Sequence, residues 1–340
     1  MDAIKLKRIF TLGFLSVWTL APCLAQTNTK EDSVYFVKIN DYFNASVDIE
    51  TDFETFEIQG DNFDFDIRPN FDFVNKIGID YRALSVFYSR SPNWGINQDS
   101  DLKGDSKSSG FGFSWNTNRM INHISKNKVT GYYLANSADF NPSFVEGENP
   151  YVQFELLETS SFKGFHALKL NRNFSYSAFS AQMALQTKSA GSFAPGISYN
   201  YYSIDNNTPT GQKSKNLEVL FNLPYYHTFV VDHKWYVNLG VITGAGMTTT
   251  WLKTPINGEI VETTSHNFIS RISGIAGLGY NSKGFYGGLE GKVHKRYQNQ
   301  SNNAVKEEIT GLAFRVFLGW HILAPHPINR LYDKVESRLF

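Results

Sequence analysis

The feature that most constrains this chain is a long run in which large apolar residues alternate with small or polar ones. In TGLAFRVFLGWHI, residues 310–322, one phase consists of Leu312, Phe314, Val316, Leu318, Trp320 and Ile322. Glycine, alanine, arginine and histidine fill most of the other phase, with Phe317 as the exception. This period indicates a strand with one apolar and one polar face. Ordinary strands have about five or six residues, whereas a strand that crosses a bilayer needs about nine to eleven.

A single run of this kind would fit a strand in the core of a large sandwich equally well, but the alternation recurs. It returns in WYVNLGVITGAGM at 235–247, at 268–280, in GFYGGLEGKVHKRY at 284–297 and at 43–50. Short turns at 81–83, 231–234 and 281–284 contrast with long polar loops at 91–108, 136–161, 205–215, 253–265 and 298–306. Short turns on one side and long loops on the other are typical of outer-membrane barrels.

We therefore predict an all-β fold, a transmembrane antiparallel β-barrel of about twelve strands with short periplasmic turns and long extracellular loops. The predicted strands are 43–51, 71–81, 83–90, 109–117, 128–136, 162–172, 193–204, 216–229, 234–250, 266–281, 284–298 and 307–322. Strands contributed by 52–60 or 173–190 would change the count within a range of ten to fourteen. The first and last strands should pair, because an open sheet edge in lipid would leave its hydrogen-bonding groups unsatisfied.

Both ends of the chain are expected to lie outside this barrel, which is assigned to residues 43–322. Residues 1–25 have a basic start, an apolar core and small residues before Gln26, which predicts a signal peptide and export to the cell outer membrane. The stretch 20–23 resembles a lipobox, but Pro22 stands where a small residue is expected, so cleavage after Ala25 is the preferred interpretation. Cleavage there removes Cys23, the only cysteine. Residues 26–42 are then a periplasmic segment, and 323–340 a periplasmic amphipathic tail.

Charge and composition limit the partners. The 32 basic and 32 acidic residues balance, so we expect no nucleic-acid partner. We expect contact with outer-membrane lipids and lipopolysaccharide and with the barrel-assembly machinery, while no residue pattern identifies a protein partner. Aromatic residues near the short turns predict a periplasmic girdle; they are Tyr225, Phe229, Trp235, Tyr280, Phe285 and Trp320.

Motifs that would carry catalysis are incomplete. Gly291-Lys292 lacks the rest of a phosphate loop, and the calcium-like stretch 99–110 has Lys103 at a ligand position and Gly110 where the closing glutamate belongs. No histidines have metal-ligand spacing, and no Gly-x-Ser-x-Gly occurs. His166 and His227 fall on the lipid-facing phase, but the sequence assigns neither a serine partner, so a lipid hydrolase or protease is the least favoured alternative. We predict no enzymatic activity, no cofactor and no metal.

Polar chemistry instead concentrates on the inward phases of the predicted strands. The candidate lumen-lining residues are Asp48, Glu50, Asp72, Lys76, Asp80, Arg271, Glu290, Lys292, His294, Arg296, Arg315 and His321. Charges inside a membrane barrel are costly unless they are paired or wet. They could pair into a network in a structural or docking barrel, which we prefer, or line a narrow porin-like channel for small polar solutes. The long segment 173–190, on the short-turn side, could form a short helix beneath the barrel or a plug inside it.

Several segments together resemble an uncharacterised Bacteroidota family, domain of unknown function 4421. They are RPNFDFVNKIGIDYRALSVFYS at 68–89, KVTGYY at 128–133, NRNFSYSAFSAQMALQTKSAGSF at 171–193, GYNSKGFYGGL at 279–289 and the strand ending at 318–321. The likeness covers nearly all of the predicted mature chain, although Ile67 and His321 stand where Tyr and Arg are expected. The resemblance implies an outer-membrane barrel in a Bacteroidota-type cell, and it implies no activity.

Overall fold

The computed structural model describes residues 35–51, 55–60, 63–95, 98–208, 211–232, 234–256, 258–282, 284–299 and 306–339. The predicted signal peptide lies outside these residues. The strands are β1 Phe36–Lys38, β2 Tyr42–Glu50, β3 Phe56–Gly60, β4 Phe63–Arg68, β5 Val74–Tyr81, β6 Leu84–Arg90, β7 Lys107–Trp115, β8 Met120–Leu134, β9 Gln153–Leu168, β10 Ala184–Gln186, β11 Ala190–Phe193, β12 Gly196–Asp205, β13 Lys213–Asp232, β14 Trp235–Ile256, β15 Glu259–Asn281, β16 Phe285–Asn299 and β17 Lys306–Leu323. The helices are α1 Ser100–Lys103, α2 Tyr176–Ser180 and α3 His326–Leu339, with a 3-10 turn at Ser137–Asp139.

Twelve of the strands in the described part of the chain close into a barrel, each antiparallel to its neighbours. Their order around the barrel follows the chain: β2, β5, β6, β7, β8, β9, then β12 through β17. The last strand pairs with the first, with Leu318 opposite Val47. The predicted twelve-strand antiparallel barrel is therefore confirmed. We call its two ends the short-turn end and the loop end.

The two phases of the alternation face opposite sides of the barrel wall, with apolar side chains exposed on the outside and polar side chains inside. Outward residues of β17 are apolar and exposed, with Leu312 at 65%, Phe314 at 56% and Val316 at 51%, whereas Phe317 faces inward at 8%. The apolar belt continues on other strands, for example at Ile272 and Val293. Polar residues of these strands, such as Arg315 and Arg296, lie on the inward phase instead.

Two predicted loops were wrong, because the strands that flank them run on. Residues 253–265 belong mostly to β14 and β15, which stay paired as far as Ile256 opposite Glu259, with Lys253 opposite Glu262. The loop at 136–161 is shorter, since β9 begins at Gln153. Likewise β8 begins at Met120 rather than 128. Period-2 patterning fails in these stretches because apolar and polar residues occur on both faces, as at Ile260 and Val261, so alternation no longer marks the strand.

The strands outside the barrel form small additions. The hairpin β3–β4 joins β8 through only two residue pairs, Ile67 with Leu134 and Arg68 with Tyr133. β11 extends the pairing of β13. Within the described residues, no helix is long and apolar enough to cross a membrane.

The predicted C-terminal tail forms α3, which rests on the turn between β5 and β6. The ring of Tyr332 packs edge-on against Tyr81 at 5.4 Å, and Tyr81 also shares a hydrogen bond with Asn329. Arg82 forms an ion pair with Asp333 at 2.5 Å. These contacts hold the helix against the short-turn end.

Candidate functional site

The segment 173–190 folds into the barrel at the short-turn end, the second of the two placements considered for it. We call it the plug. Phe174 is fully buried, and Phe179 packs 5.1 Å from the ring of Tyr226, an inward residue of β13. Ser175 caps α2 by accepting a hydrogen bond from the backbone of Ala178. The plug thus has an apolar core that it shares with the barrel wall.

Three asparagines on the inner wall hold the plug by its backbone and side chains. The amide of Asn44 donates to the carbonyl of Ala181, and the amide of Asn238 donates to that of Phe179, each at 3.0 Å. The amide of Asn281 donates to Oε1 of Gln182 at 2.9 Å. All three asparagines are buried. We call them the anchor asparagines; neutral amides satisfy the plug's polar groups there without burying a charge.

His321 and Gln182 complete this junction. The ring nitrogens of His321 lie 2.5 Å from Oδ1 of Asn44 and 3.1 Å from Oδ1 of Asn281. Gln182 has a φ of 57°, in the left-handed region that favours glycine. Its side chain also donates to the carbonyl of Ala178 at 2.8 Å. The side chain of Gln182 thus donates to Ala178 and accepts from Asn281, and these two hydrogen bonds stabilise a backbone conformation that would otherwise be strained.

The N-terminal strand braces the plug from the other side. β1 pairs with β10, so Phe36 lies opposite Gln186. The side chain of Gln186 accepts from the backbone of Ser175 and donates to three carbonyls, including that of Tyr35. The plug therefore forms a small folded unit together with the first strand of the described chain.

Above the plug lies a cavity of about 1640 Å³. Its lining starts at Tyr176 and Tyr226 and reaches loop residues such as Glu146 and Gln212 at the other end. Most polar candidates from the sequence face this space. The cavity occupies the loop half of the barrel, and the plug fills the short-turn half.

One charge group spans β2, β5 and β17. Arg315 donates to Oδ2 of the buried Asp48 at 2.7 Å and lies 3.4 Å from Glu50. Lys76 lies 3.3 Å from Asp48 and is also paired with Glu50. Glu290, on β16, stands opposite Arg315 in the strand register. We call Asp48, Glu50, Lys76 and Arg315 the first charge group; two cations and two anions compensate one another there.

A second charge group lies on β13, β15 and β16, closer to the loop end than the first. Arg296 donates to Glu218 at 2.5 Å and to Gln298 at 2.7 Å. Arg271 stands directly opposite Arg296 and lies 3.9 Å from Glu218. Two arginines on adjacent strands would repel, so the glutamate between them is needed for this arrangement.

The structure places the remaining predicted residues in two settings. Asp72, Lys292 and His294 line the cavity. The His294 ring fills the space left by Gly311, where an added Cβ would lie 2.1 Å from Cε1. Asp80 is buried on β5 opposite Asn44, in the wall beside the plug.

Sequence reasoning missed Glu218 and the plug-anchoring role of the asparagines. Glu218 occupies an inward phase between the outward Leu217 and Val219, so the alternation of β13 could have identified it. The anchor asparagines also stand on inward phases, but their partners lie far away in sequence. Only the position of the plug reveals what they bind.

One serine–histidine contact occurs on the barrel wall. Ser114 Oγ lies 2.8 Å from Nδ1 of His123, whose ring stacks on Phe87 at 5.8 Å. His166 and His227 occupy outward positions and contact Tyr199 and Tyr225, respectively. Within the described ranges, no group of three or more His, Cys, Asp or Glu side chains is placed to hold a metal ion.

Comparison with known proteins gives a family and a set of distant structures. A family model described as a domain of unknown function, DUF4421, matches residues 30–321. A search of the curated proteins finds no match. Among solved structures, the outer membrane protease OmpT from Escherichia coli is 8% identical, with 83% of this chain and 95% of that chain covered at a TM-score of 0.34. The β domain of the Bordetella autotransporter BrkA is 10% identical, with 82% and 99% covered at 0.35. The Pseudomonas putida toluene transporter TodX is 8% identical, with 83% and 89% covered at 0.28.

Proposed function

The chain belongs to the DUF4421 family, and from that premise we propose that it is a non-enzymatic barrel of the outer membrane whose lumen is closed by its own plug. Its role in this proposal is structural or docking, with a paired charge network inside. The predicted family membership is confirmed, whereas the expected Bacteroidota lineage stays a prediction.

The exposed apolar belt supports a membrane location. Large apolar side chains such as Phe221, Ile272 and Leu312 are about half exposed or more and point away from the barrel. A protein in water rarely exposes apolar surface on this scale. Trp235, Phe285 and Trp320 lie at the short-turn end of the belt and are 46–48% exposed, where an aromatic girdle belongs.

The observation that carries the proposal is the plug in the short-turn half. Its apolar core and the three anchor asparagines tie it to several strands of the wall at once. A solute in the cavity would have to displace this unit to pass through. The arrangement therefore supports a closed lumen better than a continuous pore.

The first charge group supports the same interpretation. Its charges contact one another, and Asp48 is fully buried, as expected of a group that fixes the first strand to the last. The cavity itself favours the alternative, a narrow channel for small polar solutes, because about 1640 Å³ is ample space for such solutes. The two proposals differ in whether the plug stays in place.

Further parts of the proposal concern export and partners. Residues 1–25 act as the signal peptide, the barrel-assembly machinery inserts the chain, and the short turns face the periplasm. This orientation follows the loop-length rule for outer-membrane barrels.

Labelling of introduced cysteines on whole cells tests orientation and closure together. Ser100 lies in the loop at the loop end, Ser198 lines the cavity, and Ser282 lies at a short turn. Each is changed to cysteine in a chain whose only cysteine, Cys23, is replaced by serine. A small membrane-impermeant thiol reagent should label Ser100→Cys and Ser198→Cys and leave Ser282→Cys unlabelled until the outer membrane is disrupted.

The outcomes separate the two claims. Labelling at Ser282→Cys but not at Ser100→Cys on intact cells would reverse the orientation. In proteoliposomes of defined orientation, reagent added from the short-turn end should leave Ser198→Cys unlabelled. Equal labelling of Ser198→Cys from both ends would favour the channel.

A further inference from the structure

A compact basic patch interrupts the outward face of β6, β7 and β8. Its members are Arg90, Lys107, Lys126 and Lys128, all of which are exposed. They share the outward phase with apolar residues such as Tyr88 and Phe111, which are 45% and 54% exposed. We call these four residues the basic patch. They are on the outside of the barrel and separate from the lumen charges.

The strand register brings these four cations close together. Ser109 stands opposite both Arg90 and Lys128, and Lys126 stands opposite Phe111. Lys107 is two residues from Ser109 on the same face, so it is a diagonal neighbour of Lys128. Among the described residues, the ionic partner recorded for the patch is Glu158, 2.9 Å from Lys128. Like charges at this spacing repel, and Glu158 offsets one of the four, so the patch keeps a net positive charge that favours an anionic partner.

The height of the patch matches the outer boundary of the membrane. Lys107 and Lys128 are about ten residues from the turn at 116–119, and a strand tilted by about 40° rises roughly 25 Å over that length. This rise equals the height of about 25 Å expected for the apolar band of such barrels. Lysine and arginine side chains near the edge of the band can extend their charged ends to the interface. Lys107 and Lys128 therefore lie at the level of lipid headgroups at the loop end, and Lys126 and Arg90 lie just below them with side chains long enough to reach it.

Other faces of the barrel differ at the same height. Ile272 on β15 and Val293 on β16 are a similar distance from the short-turn ends of their strands, and both are apolar and about half exposed. The basic patch is thus a local feature of three adjacent strands. A ring of charged residues around the whole barrel at this height would not explain it, because β15 and β16 are apolar there.

We propose that the basic patch binds the phosphate groups of a lipid in the outer leaflet of the membrane. The lipid's acyl chains would pack on Phe111 and the neighbouring Phe162, which lies opposite Lys126 on β9. Its phosphates would pair with Lys107, Lys126 and Lys128, with Arg90 at the edge of the patch. This inference rests on the proposed membrane location, and it adds a specific lipid site to that proposal.

Lipid binding by the detergent-purified full chain tests the site. The probes are lipid A and the same lipid after removal of its phosphates, each titrated in micelles and detected by native mass spectrometry. The triple variant Lys107→Gln, Lys126→Gln and Lys128→Gln should weaken binding of lipid A by about a hundredfold, since each cation near a membrane surface contributes about 1 kcal/mol. It should hardly change binding of the dephosphorylated lipid.

The matched control is Lys215→Gln with Lys253→Gln and Lys295→Gln, three lysines of β13, β14 and β16 outside the patch. This control should bind lipid A as the unaltered chain does, and heat-modifiable gel migration verifies folding of every variant. Equal binding of lipid A by the triple variant and the unaltered chain would overturn the site, as would an acidic protein partner there. A chain that is soluble without detergent would instead overturn the membrane location.

Discussion

The short-turn half of the barrel interior, which holds the plug, and the loop half, which holds the cavity, stabilise their buried polar groups in different ways. The plugged half uses neutral amides: the anchor asparagines donate to carbonyl oxygens of the plug. The cavity half uses ions, with Asp48, Lys76 and Arg315 compensating one another beside a cavity of about 1640 Å³. Burying an unpaired charge costs far more than burying a neutral amide. Buried Asp80 and Lys169 are charged exceptions beside the plug, where Lys169 donates to the carbonyl of Phe174. Otherwise the charges lie where they have counter-ions and space, and amides bind the tightly packed plug.

The largest effect should come from removing one anion of the first charge group. Asp48→Asn leaves Arg315 and Lys76 with one carboxylate fewer, so unfolding should require about 3–5 kcal/mol less free energy. Urea titration followed by heat-modifiable gel migration measures it. Asp48→Asn combined with Arg315→Gln should partly restore stability. A single variant as stable as the unaltered chain would mean that water screens this group, and would remove the contrast between the two halves.

A somewhat smaller effect should come from a charge on the lipid face. Val316→Arg puts an arginine on an outward residue that is 51% exposed, which near the membrane midplane costs about 2–4 kcal/mol. Asn200→Arg, which adds the same residue to the cavity lining, should cost much less because the cavity is polar. The urea midpoints of the two refolded variants provide the comparison. Equal losses would reject the assignment of inner and outer faces.

The plugged half should show a smaller loss for a single amide. Asn281→Ala removes the hydrogen bond to Gln182 and the contact with His321, which should cost about 1–3 kcal/mol because both groups stay buried. In the same variant, the rate of hydrogen exchange at the backbone amides of the plug should increase. Asn200→Ala is the matched control, since Oδ1 of Asn200 has no hydrogen-bond partner within the described chain. If both substitutions cost the same, the plug is not held by the anchor asparagines.

The smallest change in stability is expected for an exposed ion pair outside the barrel interior. Lys213 pairs with Asp205 at 2.9 Å near the loop end, where both side chains are at least 30% exposed. Lys213→Gln should change stability by about 0–1 kcal/mol, because water screens surface pairs. The same urea titration detects it, and a loss comparable to that of Asp48→Asn would mean that burial does not set the ranking.

The sequence predicted the barrel because its strands repeat a period of two over spans long enough to cross a membrane. It also predicted the inward phase of Asp48 and Arg315, which the structure joins at 2.7 Å. It did not predict the placement of the plug, since residues 173–190 have no strand period and their partners, such as Asn44 and Asn281, are about a hundred residues away or more. The outer parts of β14 and β15 were missed because apolar and polar residues occur there on both faces, as at Ile260 and Val261.

The most direct test of the closed lumen is the conductance of the purified chain in planar lipid bilayers. The account predicts that the unaltered barrel shows no sustained open level. Combined Asn44→Ala, Asn238→Ala and Asn281→Ala, which release the plug from the wall, should produce ion-conducting openings, while Asn200→Ala should not. A steady conductance of the unaltered barrel, equal to that of the triple variant, would contradict the account and identify the protein as a channel.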